Sequence, residues 1–273
     1  MRKLHYILLL INFISILSCE DVINVDVNTS DPRLVIDASL NWTKGTNGEN
    51  QTIKLSLTAP FFDTTVPPAT GASVTVTDSD SNVFNFNEIG DTGIYINNSF
   101  IPVINNVYNL TVVYNNETYT ATETLTSVAP IEFIEQKNDG GFTGEETEIK
   151  AYYTDPEGVD NYYLFEFIIP SENIQSLEVY DDEFTDGNQI FGFYSDDTLE
   201  TGDELIVRVS GISERNFEFF NILLQQTDDE QGDPFQVQPV TVRGNCINQT
   251  NPNNFPLGYF RVSETSSATY TIE

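Results

Sequence analysis

Apolar and polar residues alternate in short runs along most of this chain, and Asn, Asp, Gly and Pro separate the runs. Ile53, Leu55 and Leu57 occupy every second position, as do Val74 and Val76. A period of two gives an extended strand one core face and one wet face. The pattern predicts strands at 34–40, 53–58, 73–77, 83–86, 93–96, 108–114 and 118–125. Asp78-Ser79-Asp80-Ser81-Asn82 and Asn115-Asn116 join neighbouring runs as polar hairpin loops. So many short strands in about 100 residues are the signature of an immunoglobulin-like β-sandwich.

A boundary falls near Val128-Ala129-Pro130, which divides a sandwich at 33–128 from a second, β-rich domain at 129–273. Residues 136–146 are polar and Gly-rich. Strands then resume at 148–154, 162–169, 177–180, 190–194, 205–210, 259–263 and 269–272, and Asp155-Pro156-Glu157-Gly158 reads as a turn. One helix is predicted near 213–226. Ser213 is its N-cap, Glu214 lies in its first turn, and Phe217, Phe220 and Leu224, widened by Phe219 and Leu223, line one face. That aromatic stripe reads as core packing. The expected fold is mainly all-β, and no repeat of fixed period is visible. Tyr152-Tyr153 and Tyr162-Tyr163 place adjacent rings on opposite faces of a strand, so one ring of each pair points away from its own core.

The start of the chain has a different texture. Arg2 and Lys3 precede an apolar stretch from Ile7 to Leu17, broken only by Asn12 and Ser15. It is too short for a comfortable transmembrane helix, which takes roughly 20 apolar residues. Ile16-Leu17-Ser18-Cys19 has the aliphatic and small residues of a bacterial lipobox. Residues 1–18 therefore read as a lipoprotein signal peptide and 19–32 as a lipidated tether, with the lipid on the Cys19 thiol. Glu20 and Asp21 follow at once and resemble the export tag of Bacteroidota surface lipoproteins. The expected location is the outer membrane, facing the cell exterior, with no membrane contact beyond the anchor.

Composition narrows the chemistry. The chain has 42 acidic and 11 basic residues. Losing Arg2 and Lys3 with the signal moves its formal charge from -31 to -33. Nucleic acid, which needs a basic footprint, is not an expected partner. The one histidine, His5, goes with the signal, and the one methionine is Met1. Histidine bases, Ser-His-Asp triads and histidine zinc sites are thereby removed. With Cys19 lipidated, Cys246 has no partner thiol and reads as buried and inert. No catalytic residue, metal ligand or cofactor is assigned.

Two acidic stretches resemble ion sites. Asp78-x-Asp80-x-Asn82 begins like a calcium loop, but Val83 and Ile89 stand where glycine and glutamate are needed. Asp181-Asp182-Glu183 with Asp186-Gly187-Asn188 offers oxygen ligands, although a solvated loop is the preferred reading.

The order of blocks is recognisable. Arg33-Leu34-Val35-Ile36-Asp37-Ala38 follows the acidic pair, then come Gly71-Ala72-Ser73-Val74, Gly93-Ile94-Tyr95 and Val107-Tyr108-Asn109-Leu110. Asp155-Pro156-Glu157-Gly158 precedes Asn161-Tyr162-Tyr163. Asn245-Cys246-Ile247-Asn248 leads through Asn251-Pro252 to Leu257-Gly258-Tyr259-Phe260-Arg261-Val262-Ser263. This resembles the Bacteroidota lipoproteins of domain-of-unknown-function family 4249 across the chain after the signal. The resemblance implies a β-rich two-part fold and association with a TonB-dependent outer-membrane transporter; it supplies no ligand residues. The leading expectation is a non-catalytic accessory subunit that captures substrate or acts as a lid. An adhesion or structural module and a carboxylate-pair glycan hydrolase are the alternatives. Replacing Cys19 with Ser should abolish metabolic labelling by palmitate and move the protein from the membrane to the soluble fraction.

Overall fold

The computed structural model describes residues 31–60, 63, 65–141, 144–171, 174–227 and 241–273. The expected signal, Cys19, Glu20, Asp21 and most of the tether lie outside them. The described chain is mainly β. Its first half holds β1 (Leu34–Thr43), β2 (Gln51–Leu57), β3 (Ser73–Asp78), β4 (Val83–Glu88), β5 (Ile94–Asn97), β6 (Val107–Tyr114) and β7 (Glu117–Thr124). The second half holds β8 (Phe133–Gly140), β9 (Glu146–Thr154), β10 (Tyr162–Ile169), β11 (Ile174–Asp181), β12 (Gln189–Asp196) and β13 (Glu204–Ile212). The helix α1 (Glu214–Thr227), β14 (Ile247–Asn248) and β15 (Leu257–Thr271) complete it.

In the first half the strands run β1-β2-β5-β4-β3-β6-β7. The row curls on itself, because β7 returns to β15, which pairs with β1. Thr126 bridges to Ser263, and the Tyr259 hydroxyl donates to Glu123 Oε2 at 3.0 Å. The inward positions fill one core, among them Ile36 and Leu40 of β1, Leu55 of β2, Val76 of β3 and Leu110 of β6. In immunoglobulin letters, A-B-E packs on C-F-G, with the fourth strand bonded mainly to C. Tyr108, at the start of β6, donates to the Ile101 carbonyl and accepts the Val103 N–H, both at 2.9 Å. That is the tyrosine corner of immunoglobulin-like sandwiches. Asn115 and Asn116, at φ 49° and 63°, make the β6–β7 hairpin turn.

The second half repeats this order. Strands β8-β9-β12 form one sheet, and β11-β10-β13-β15 form the facing edge of the other. In letters these are A-B-E against C-F-G, again with the fourth strand beside C. Ile149, Tyr153, Phe165, Phe167, Val207 and Val209 fill the space between. Helix α1 and β14 interrupt the sequence between the sixth and seventh strands. Ser213 caps the helix, its hydroxyl accepting the Asn216 N–H at 3.3 Å. The aromatic stripe is half-buried and joins neither core: it lies over the sheets, Phe217 on Tyr162 and Phe219 on Tyr259.

Three more expectations need correction. Residues 136–140 of the polar segment belong to the edge strand β8, whose inward positions after Ile134 are polar and give no apolar alternation. The expected strands at 259–263 and 269–272 are one strand, β15. Its polar middle, Glu264 to Ser266, is buried because it holds the link between the halves. Glu264 Oε2 pairs with Lys44 Nζ at 2.7 Å and accepts the Val128 N–H at 3.1 Å, while Ser266 Oγ accepts the Ile131 N–H at 3.1 Å. The third is β14, too short to give a periodic signal, which pairs with β7.

Gly258 opens β15 at φ +87°, and a methyl group there would overlap the Ile36 carbonyl of β1. Left-handed strain and steric overlap add, so Gly258→Ala should cost about 2–4 kcal/mol in denaturant unfolding.

Candidate functional site

The second sandwich ends in two loops, β9–β10 and β11–β12, and the fold brings their carboxylates together. Oxygens of Asp155, Asp182 and Asp186 all lie within 4.8 Å of one another. Asp155 is 2% exposed and Asp182 6%, whereas Asp186 is open to solvent. Hydrogen bonds fix each group. Asp155 accepts the Tyr163 hydroxyl on one oxygen and the Gly187 N–H on the other, the latter at 3.1 Å. Asp182 Oδ2 accepts the Asn161 N–H at 2.8 Å, and Asp186 Oδ1 accepts the Gly158 N–H at 2.7 Å. Each loop therefore holds the other. Among the described residues, no Lys or Arg is paired with any of the three.

Burial is the main force raising the Asp182 carboxyl above its ordinary range, and the charges of Asp155 and Asp160 add to it. Tyr153 lies two residues before Asp155 on the same strand face, with its ring edge-on to Tyr163 at 4.7 Å. It is 0% exposed and its hydroxyl has no hydrogen-bond partner. Burial raises its phenol far above the ordinary range, and the fields of Asp155 and Asp182 add to the shift. Asn161 Oδ1 and Thr185 Oγ1, on the same two loops, are also shut off from solvent without a partner. Beside the cluster, and sharing Asp182 with it, Asp160, Asp181, Glu183, Glu214 and Glu218 line a cleft with Tyr162 and Phe217.

The sequence-expected acidic stretch is thus split. Asp181 and Glu183 face the open cleft, while Asp182 and Asp186 meet Asp155, which the sequence marked only as a turn residue. The other acidic stretch is a hairpin loop, as expected: Asp78 Oδ1 accepts the N–H groups of Asp80 and Asn82 at 3.0 and 2.8 Å. Cys246 is buried in the first core, and burial pushes its thiol up to about 12.

The paired aromatics resolve differently from each other. Tyr163 and Tyr153 enter the second core, and Tyr162 lies beneath α1. Tyr152 instead stands on the outer face of β8-β9-β12 in a row with Phe133 and Phe191. Phe133 stacks on Tyr152 at 4.5 Å and 14°, and Phe191 tilts against it at 5.2 Å. Phe133 is 46% exposed and Phe191 38%. Lys150, paired with Glu148 at 2.5 Å, covers the Phe191 ring.

The strand order defines a tandem immunoglobulin-like β-sandwich protein. Residues 20–269 match the model described as Domain of unknown function (DUF4249), and the chain belongs to that family. A comparison with curated proteins finds no match. Among solved structures, the chain is similar to a two fibronectin type-III domain segment from chicken tenascin. The identity is 13% over 68% of this chain and 89% of that one, at a TM-score of 0.22. The fold assignment rests on the strand order itself.

Replacing Asp182 with Asn tests the electrostatics in metal-free buffer. A carboxyl raised by burial favours folding only once protonated, so the native chain gains stability as pH falls through that raised value. Asp182→Asn is neutral throughout. Its thermal midpoint should exceed that of the native chain at neutral pH, and the difference should close on acidification.

Proposed function

We propose that this protein is a non-catalytic lipoprotein of the outer-membrane surface, tethered through Cys19, that docks on a TonB-dependent transporter as a capture or lid subunit. The observation that carries the reading is the exposed Phe133–Tyr152–Phe191 row. A sheet face that meets only water carries polar side chains; three rings in cross-strand register suit a second surface. The lipobox, the acidic residues after it and the family's expected company supply the location and the class of partner.

Joining the two sandwiches through β15 would also suit a rigid spacer in an adhesion or structural module. Recovery of tagged, detergent-solubilised protein from its native membrane separates the two readings. An outer-membrane barrel should co-purify, and a Phe133→Ala, Phe191→Ala double variant should recover about tenfold less at an unchanged melting temperature. Absence of any barrel from the native preparation would leave the spacer standing.

A further inference from the structure

The geometry points to a calcium site at the end of the second sandwich, formed by Asp155, Asp182 and Asp186 with Asn161 and Thr185. Calcium takes six to eight oxygens at about 2.3–2.6 Å, so oxygens on opposite sides of the ion lie about 4.6–5.2 Å apart. The three carboxylates sit within 4.8 Å of one another and fit around one such ion.

The second, independent observation is Tyr153. A fully buried hydroxyl without a partner is unusual and costly, and this one belongs to a ring packed on Tyr163, whose own hydroxyl is bonded to Asp155. The charges of Asp155 and Asp182 both act on it, and it bonds to neither. An ion with its coordinated water gives that hydroxyl an acceptor. Asn161 Oδ1 and Thr185 Oγ1 are neutral oxygens of the kind that fills out a calcium shell, and both are buried without donors. Asn161 is tied to Asp182 through its N–H, and Thr185 through its N–H to the Asp182 carbonyl at 2.8 Å, so both ride on the cluster's own backbone. The acidic cleft beside Asp182 is the entry path: its charges draw cations toward the buried oxygens.

Calcium would then clamp the β9–β10 turn to the β11–β12 loop. The ligand set is irregular and mixed, which suits calcium better than magnesium, an ion that demands near-ideal octahedral geometry.

The test uses the intact, detergent-solubilised chain, titrated with Ca2+ by calorimetry, with Tb3+ as a luminescent stand-in excited through the neighbouring tyrosines. One Ca2+ per chain should bind, raise the melting temperature and displace Tb3+. Asp186→Asn, at an exposed position that leaves the fold intact, should weaken binding about tenfold or more. Asp80→Asn, in the other sandwich, should leave binding unchanged. No heat and no thermal shift with a folded chain would overturn the assignment. So would Asp186→Asn binding like the native protein, Asp80→Asn weakening it equally, or Mg2+ binding as tightly as Ca2+.

Discussion

One strand makes both sandwiches possible. The first part of β15 runs parallel to β1, from Leu257 beside Val35 to Thr265 beside Thr43, and its later part runs antiparallel to β13, from Thr265 beside Ser210 to Thr271 beside Glu204. Thr265 is paired on both sides. The seventh strand of the second sandwich is therefore also a neighbour of the first strand of the first, and the two cannot part without breaking a sheet. Closing this pairing brings together residues more than 200 positions apart, a costly loop to order before its contacts return anything. Strands so distant in sequence fold late and slowly.

The polar residues around β15 follow from that position. A strand crossing from one core to another passes the connecting segment, whose backbone N–H groups need partners. Glu264 and Ser266 supply them, which is why a buried stretch reads as hydrophilic. The Asn245-Cys246-Ile247-Asn248 block works the same way. Asn245 accepts the Phe260 N–H at 2.9 Å and donates to its carbonyl at 2.7 Å, so its amide imitates a neighbouring strand. Asn248 accepts the N–H groups of Thr250 and Asn251 and orders the approach to β15. Between them Cys246 is a packing residue of the first core.

Sequence periodicity located the strands whose inward faces are apolar, because alternation is what burial on one side imposes. It could not locate β8, where few inward positions are apolar, nor the continuity of β15, where burial meets hydrogen-bonding demand. The repeat of one sandwich by the other is likewise invisible, since it is a repeat of strand order with α1 and β14 inserted into the second copy. The acidic site was half legible. Asp182 and Asp186 stand four apart in one loop, but Asp155 joins them only because β9 and β12 pair, Thr154 opposite Gln189. The aromatic row had the same limit: Tyr152 was known to face away from Tyr153, and register alone put Phe133 and Phe191 beside it.

The large negative charge of the chain does not explain the acidic cluster; it makes it harder to form. Exposed carboxylates repel one another weakly, because water and salt screen them within about 10 Å. Asp155 and Asp182 have given up that screening, and among the described residues no basic side chain is paired with either. Their hydrogen bonds to Tyr163, Gly187 and Asn161 offset part of the desolvation, yet donors of partial charge cannot neutralise two carboxylates. Where a fold concentrates like charge in a dry place without a counter-ion from its own chain, the missing charge has to come from outside or from protons. Burial and the neighbouring carboxylates raise the Asp182 carboxyl, so a proton is one way to relieve the cluster. A cation is the other, and the unpartnered oxygens of Tyr153, Asn161 and Thr185 lie on the strand and loops that would receive it.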